Sequence, residues 1–427
     1  MRIYTQAQPS SRTLVVAITL YAASSIKFFD RDPLSQQVGP QGPIQLVVLA
    51  VVVLMLVVTM RRHSQRIFAN SSAKAFLAFG AIAAVSSIFS FYPLLSLAKG
   101  IAFLLACGVA ILASSAFRPG EVLKYLYFVF TAILLIELIV KTAGGFPLLD
   151  VDDYTGRAKL SLFGLHPTLL GELSSITLLS GLLLPKRPPI YCQAFLLILA
   201  VVSGTRTGST MLIVVLFAVW LASRRLSPRA VSLYCGLACV CVIVLVASQL
   251  TDQANANIAA ITRPVYGDML SRDASTLDGR TDVWNAAAPA LSHSVFLGYG
   301  LGGARDALVN NTSKFWVAGD AHNAFVELAL GGGFIALLIY LLGWGAAARR
   351  AWQSQGSIRI GALALYFYIF VFGIVAPDLT NLQALGTFLI ITVDALVCEE
   401  LVISGAKRVA VSFVAASTEP IENPACT

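Results

Sequence analysis

The organisation of this chain is decided by residues 278–350, which read DGRTDVWNAAAPALSHSVFLGYGLGGARDALVNNTSKFWVAGDAHNAFVELALGGGFIALLIYLLGWGAAARR. The first part of this stretch is polar and contains arginine, tryptophan and histidine side chains. The second part is an apolar run long enough to cross a bilayer, which takes about 20 residues of helix. The stretch therefore predicts a polar segment that leads directly into a membrane-spanning helix.

Composition extends this prediction to the whole chain. Of the 427 residues, 57% are hydrophobic and only 12% are charged, and the mean hydropathy is +0.79. A soluble protein would carry about 25% charged residues. The formal net charge of +8 does not indicate nucleic-acid binding, because membrane proteins collect Lys and Arg on one side of the bilayer. We therefore expect an all-α integral membrane protein.

About twelve apolar segments are candidate spans. They lie near 13–29, 43–60, 74–92, 94–117, 121–141, 164–184, 190–204, 208–222, 230–250, 323–346, 360–376 and 382–404. Short connections rich in Lys and Arg, such as 61–73 and 223–229, place both termini in the cytoplasm by the positive-inside rule. The same alternation makes 251–322 one large periplasmic loop. We predict a single polytopic membrane domain over 1–404, which includes this loop, and a disordered cytoplasmic tail over 405–427.

The polar segment contains a candidate general base, His322, near the start of a predicted membrane helix. Unpaired N–H groups and the helix dipole favour neutral imidazole there, and neutral imidazole accepts protons near pH 7. Asp320, the predicted N-cap of that helix, favours the charged imidazolium instead, because a nearby carboxylate stabilises a positive charge. The alternative is that His322 only caps the helix. The nearby GYGLGG sequence lacks the context of a nucleotide-binding motif and predicts a flexible turn.

Two arginines are candidate anion ligands. Arg206, in SGTRTG, lies between two short predicted spans, where an arginine must line a wet cavity or pair with an anion. Its forked guanidinium suits phosphate oxygens, although a structural ion pair with Glu172 or Asp394 is the alternative. Arg280 lies four residues before Trp284, so both should share one helix face. We interpret Trp284 as a flat platform on which a sugar stacks.

Four further residues are assigned to substrate binding. Arg157 is a candidate phosphate ligand, with a solvated loop charge as the alternative. Asn323 belongs to the AHN sequence, and Glu327 could orient the ring of His322 or compensate an arginine. Arg305 raises the local positive potential. We expect neither a metal site nor a cofactor.

Four short motifs carry a family resemblance. SGTRTG, GRTDVW, FLGYGLGG and AHNAFVELALGGG occur in this order within about residues 200–345. Together they resemble the O-antigen ligase and polysaccharide polymerase superfamily, and the GRTxxW–GYG–AHN form is most similar to its exopolysaccharide polymerases. The twelve-span layout agrees with this family along the whole chain. The resemblance implies a helical, lipid-donor glycosyltransferase in the bacterial inner membrane, with its active site on the periplasmic side.

The resemblance also implies an activity. Such enzymes transfer a glycan en bloc from an undecaprenyl diphosphate carrier to an acceptor hydroxyl without a metal ion. Arg206 and Arg280 would hold the diphosphate, and His322 would assist the acceptor. The implied partners are an undecaprenyl diphosphate-linked oligosaccharide, an acceptor glycan (polymerase) or lipid A-core (ligase), the lipid bilayer, and chain-length regulator and flippase proteins.

A proton-coupled membrane transporter is the alternative of another class. Glu137, Glu172 and Asp394 lie in predicted spans, where carboxylates are costly and often serve as proton relays. Transporters commonly show half-to-half repeats and interrupted helices near the bilayer midplane. The sequence indicates neither feature, which favours the transferase.

Overall fold

The structure is a computed structural model. It describes residues 10–25, 41–60, 70–146, 148–151, 158–160, 162, 167–203, 206–223, 280–310, 321, 323–375 and 385–417. These residues are almost entirely helical. The predicted fold class, an all-α integral membrane protein, is confirmed.

The first part of the chain forms long helices and a small antiparallel ladder. The helices are α1 (Ser11–Ser25), α2 (Gln41–Met60), α3 (Ser71–Val85), α4 (Pro93–Ala116) and α5 (Pro119–Ala143). A 3₁₀ turn, Ser86–Phe89, follows α3. Pro93 and Pro119 are the first residues of α4 and α5, where proline is favoured because its missing N–H has no helical partner. The ladder pairs β1 (Leu149–Val151) with β2 (Ala158–Leu160).

The second part contains the stretch that decides the fold. Its helices are α6 (Pro167–Ser180), α7 (Ile190–Val202), α8 (Arg206–Ser223), α9 (Arg280–His293), α10 (Ala304–Val309), α11 (Ala324–Gln353), α12 (Gly356–Val375) and α13 (Leu385–Ser417). A 3₁₀ turn, Gly181–Leu183, follows α6. The backbone of α13 stays helical to Ser417, whereas the predicted tail begins at residue 405.

Several of these helices suit a bilayer. Within the described residues, six helices are long and apolar enough to cross a membrane, and four shorter helices are also apolar. The predicted spans coincide with helices except for 230–250, which lies outside the described residues. The count of twelve spans stays a prediction.

The core of the bundle lies around α3, α4 and α11. Phe79 packs edge-on against Phe103 and Tyr340, with ring centroids 4.9 Å and 5.3 Å away. These three rings are buried. By contrast, Leu54 and Leu338 are more than half exposed, as expected of side chains that face lipid tails.

The two ends of the bundle differ, and α11 connects them. Asn323 precedes α11 at what is called here the motif end, and Arg350 lies near the other end of the helix, called the arginine end. After the tenth residue of α11, residues 334–353 alone make about 30 Å of helix, so the two ends lie far apart.

Helix α11 is interrupted at Gly333, where φ is 74° and ψ is 176°. Only glycine adopts this backbone conformation readily. The expectation that the chain has no interrupted helix is therefore wrong. The sequence did not reveal the break because consecutive glycines in an apolar run are equally compatible with close helix packing.

Candidate functional site

The GRTDVW and AHN motifs are joined at the backbone of Ala321. The indole N–H of Trp284 donates to the carbonyl oxygen of Ala321, 37 positions away, at 3.0 Å. The N–H of Ala321 donates to Oε1 of Glu327 at 2.6 Å. The N–H and the carbonyl oxygen of Ala321, the residue before His322, are thus both hydrogen-bonded to side chains.

These two contacts give Trp284 and Glu327 a structural role, and their predicted contacts with substrate stay predictions. The sequence predicts that Trp284 is a sugar platform and that Glu327 orients the ring of His322 or compensates an arginine. The structure gives both side chains contacts to the main chain beside His322, and both are half-buried. The sequence offers no signal for these contacts, because they depend on how α9 lies relative to α11.

Helix α11 is capped by Asn323. Its side-chain oxygen accepts from the N–H groups of Phe325 at 2.9 Å and Val326 at 3.2 Å. The prediction that Asp320 caps this helix is wrong, because the helix begins at Ala324 rather than at residue 321. Asn and Asp are similarly good caps, so the tertiary structure selects between them.

The FLGYGLGG segment docks into the interruption of α11. The N–H of Tyr299 donates to the carbonyl oxygen of Leu330 at 2.7 Å, and the N–H of Phe334 donates to that of Val295 at 2.8 Å. Backbone groups freed by the break at Gly333 therefore bind the main chain of the turn. An unpaired backbone group inside a membrane protein costs several kcal/mol, so this docking offsets the cost of the break.

Two glycines make this docking possible. A Cβ atom on Gly298, where φ is 65°, would lie 2.6 Å from the nitrogen of Gly333. One on Gly333 would lie 2.5 Å from the nitrogen of Leu297. Real Cβ atoms essentially never approach other atoms within 3.0 Å. The two main chains are in direct contact, with no room for a side chain.

The same turn also packs against the start of α4. The N–H of Gly302 donates to Oγ of Ser96 at 3.0 Å, and Nζ of Lys99 donates to the carbonyl oxygen of Leu301 at 3.2 Å. The rings of Phe91 and Tyr299 stack with centroids 5.7 Å apart. The turn predicted to be flexible is therefore packed, and its glycines are buried.

These elements share a small core of their own. Its buried members are Val283, Ala287, Ala290, Ala304, Ala307, Leu308, Ala321 and Leu330. The hydroxyl of Tyr299 donates to the carbonyl oxygen of Ala290 at 2.8 Å and links the turn to α9. Residues 280–310, 321 and 323–334 form one packed assembly, called here the motif unit.

The predicted catalytic residues are placed only in part. Arg206 is the first residue of α8 and Arg280 is the first residue of α9, but their side chains are outside the described part of the structure. His322 and Arg157 also lie outside the described residues. The convergence of Arg206, Arg280 and His322 on one pocket stays a prediction.

The chain path nevertheless relates Arg206 to the motif end. A Cβ atom on Gly361, near the start of α12, would touch Leu183, so the turn after α6 lies at the arginine end. Helix α7 packs along α6 and carries the chain about 20 Å away from that end. Helix α8 then begins at Arg206, and we infer from this chain direction that residue 206 lies toward the motif end.

Arg305 and Asp306 lie in α10, and both are half-buried. Burial raises the pKa of Asp306, and the neighbouring guanidinium of Arg305 opposes this shift. Arg305 therefore interacts with an acid of its own helix, and its predicted contact with substrate stays a prediction.

Of the two alternative partners of Arg206, Asp394 is paired with Arg350 instead, and the pairing of Arg206 with Glu172 stays a prediction. Arg350 donates from Nε and Nη2 to the two carboxylate oxygens at 2.6 Å and 2.5 Å. Asn70 and Ser71 also accept hydrogen bonds from Arg350, and Ser72 donates to Asp394. These five residues are called the arginine network, and they join α3, α11 and α13.

These observations define a class of protein: a helical membrane bundle with a motif unit built on a central interrupted helix. Residues 192–341 match the family model described as O-antigen ligase. The matched range contains Arg206, Arg280 and the motif unit. The match confirms the resemblance of its motifs to the O-antigen ligase and polymerase superfamily. No curated protein matches the chain.

Proposed function

We propose that the chain is a membrane glycosyltransferase that transfers a glycan en bloc from an undecaprenyl diphosphate carrier to an acceptor sugar hydroxyl. The family match supports an O-antigen ligase or polymerase type of function in general. The observation that carries the finer proposal is the hydrogen-bonded junction at Ala321. It ties the helix that begins with Arg280 to the backbone beside His322.

In this proposal Arg206 and Arg280 bind the diphosphate of the donor. The bond between the anomeric carbon and the diphosphate oxygen breaks, and its electron pair leaves with the undecaprenyl diphosphate. Negative charge grows on the leaving group as the bond breaks. Two guanidinium groups placed there stabilise the transition state more than the ground state, without a metal ion.

His322 acts on the acceptor. Its neutral imidazole accepts the proton of the acceptor hydroxyl while that oxygen bonds to the anomeric carbon from the face opposite the diphosphate. The product therefore has inverted anomeric configuration. A well-placed general base contributes about 10²–10⁴-fold in rate. The bound Ala321 and the capping Asn323 support this role, because they hold the backbone on both sides of residue 322.

The proposed location is the bacterial inner membrane, with the motif end on the periplasmic side. ATP and nucleotide sugars are absent there, so the donor must arrive already activated on a lipid. Flippase and chain-length regulator proteins are the partners expected for such a donor and its polymer.

Deletion of the gene separates the two transferase types. Loss of long surface polymer with single repeats retained indicates a polymerase, which the motif form favours. Long polymer left on undecaprenyl diphosphate indicates a ligase that acts on lipid A-core. Unchanged surface glycans and unchanged lipid-linked intermediates would contradict both.

Variants in the deletion strain test the residues. We expect His322→Ala, Arg280→Ala and Arg206→Ala to reach the membrane normally and to form no product. Arg187→Ala is the control, because Arg187 is exposed in the loop between α6 and α7, at the arginine end. Wild-type product from any of the first three variants removes that residue from the site.

The interrupted helix calls for a separate test of the transporter alternative, because transporters also use broken helices. Here the main chain of the turn at 294–299 fills the break. We expect purified protein in detergent, with lipid-linked donor and acceptor, to form product without any membrane gradient. Product that forms only across a sealed, energised membrane would favour transport.

A further inference from the structure

A groove lies at the arginine end of the bundle, far from the motif unit. Its volume is about 500 Å³, and it opens between α3 and α11. It is lined by Ser71, Leu341, Leu342, Gly345, Ala346, Arg349, Arg350 and Gln353. Apolar residues thus line the part nearer the middle of α11, and polar or cationic residues line the part nearer its end.

The two arginines of the groove differ in what they bind. Arg350 is engaged by Asp394, Asn70 and Ser71, so the carboxylate already balances its charge. Arg349 is exposed, and within the described part of the chain it has neither an ion pair nor a hydrogen bond. Of these two arginines, only Arg349 therefore gives the groove a positive charge that no carboxylate of the described residues balances.

The apolar part of the groove is open to the lipid side of the bundle. A Cβ atom added to Gly345 would find nothing within 4 Å, so space lies beside the helix at this position. Leu342, one turn before Ala346, is 63% exposed. An extended hydrocarbon chain can lie along this face without displacing protein atoms.

We propose that this groove binds one phospholipid with an anionic headgroup. Its phosphate contacts the guanidinium of Arg349, and one acyl chain runs along Leu341, Gly345 and Ala346. Asp394 balances the charge of Arg350 but not that of Arg349. A lipid with a net negative charge can balance Arg349, so charge complementarity selects an anionic headgroup. The assignment is independent of the transferase proposal, because it uses the opposite end of α11.

The full chain, delipidated in detergent, tests this proposal by native mass spectrometry. Phosphatidylglycerol and phosphatidylcholine with identical acyl chains are titrated separately. We expect the first phosphatidylglycerol to bind about fivefold more tightly than phosphatidylcholine, the preference expected from one basic residue. Arg349→Gln should abolish this preference, and Arg349→Glu should reverse it.

Two further variants locate the lipid. Gly345→Leu fills the open space and should weaken the binding of both lipids. Arg187→Gln removes a cation at the same end but outside the groove, and it should keep the fivefold preference. Equal binding of the two lipids by the wild type, or an unchanged preference in Arg349→Gln, would overturn the proposal.

Discussion

The motif end and the arginine end hold the central helix α11 in two different ways. At the motif end, Gly298 and Gly333 bring two main chains into direct contact, and backbone hydrogen bonds close the interface. At the arginine end, a charged pair between Arg350 and Asp394 joins three helices through side chains. One end depends on the absence of side chains, and the other depends on particular ones.

This difference predicts which substitutions destabilise each end. A buried ion pair tolerates loss of both partners better than loss of one, because a single remaining charge stays unpaired. A main-chain interface tolerates changes in nearby side chains, but it does not tolerate a methyl group at the contact itself. Substitutions at the two ends should therefore fail for different reasons.

The largest expected effect is at the arginine end. Asp394 is fully buried, and Asp394→Asn leaves the charge of Arg350 without its carboxylate. We expect the free energy of unfolding to fall by about 3–5 kcal/mol, measured by denaturant titration in detergent. The double variant Asp394→Leu/Arg350→Met should recover much of this loss. If the double variant is less stable than Asp394→Asn, the ion pair is not the source of the effect.

At the motif end, Gly333→Ala should cost about 3 kcal/mol, because alanine is strained at this φ and ψ and its methyl group meets the turn. We expect transfer activity to be lost together with thermal stability. Gly345→Ala is the matched control in the same helix, where a methyl group meets nothing, and it should leave both unchanged or slightly raise stability. Equal melting temperatures for the two variants would contradict the direct main-chain contact between Gly333 and the turn.

A smaller effect is expected from Glu327→Ala, which leaves the N–H of Ala321 without its carboxylate. The loss of a charge-assisted hydrogen bond should lower the free energy of unfolding by about 1.5 kcal/mol. The turnover rate should fall further than stability alone explains, because the backbone beside His322 is released. Glu327→Gln retains an acceptor and should keep most of the activity. Full activity in Glu327→Ala would show that this contact does not position the site.

The smallest expected effect on stability is that of Trp284→Phe, about 1 kcal/mol for one hydrogen bond. Phenylalanine keeps a flat ring but cannot donate to Ala321. If Trp284 positions the backbone, the turnover rate should fall in Trp284→Phe nearly as far as in Trp284→Ala. Retention of activity by the phenylalanine variant alone would favour the sugar-platform interpretation.

The helices could be predicted because each depends on its own residues. Apolar segments of bilayer length mark most of them. The i, i+4 placement of Arg280 and Trp284 on one helix also follows from local spacing.

The contacts that build the site could not be predicted, because they join residues distant in the chain. Nothing around Trp284 indicates Ala321 as its acceptor, and nothing around Asp394 indicates Arg350 as its partner. The break at Gly333 is likewise decided by the turn that fills it. Motif order indicated that these segments belong together, but not which atoms meet.

The glycine contact between Gly298 and Gly333 has a consequence for how such a protein can diversify. No side chain lies between the two main chains at this contact, so its geometry does not depend on the chemistry of neighbouring residues. Val295 and Phe296 are exposed beside it and can be exchanged without shifting the frame. A chain built in this way can change the side chains around this contact one at a time while the backbone keeps its geometry.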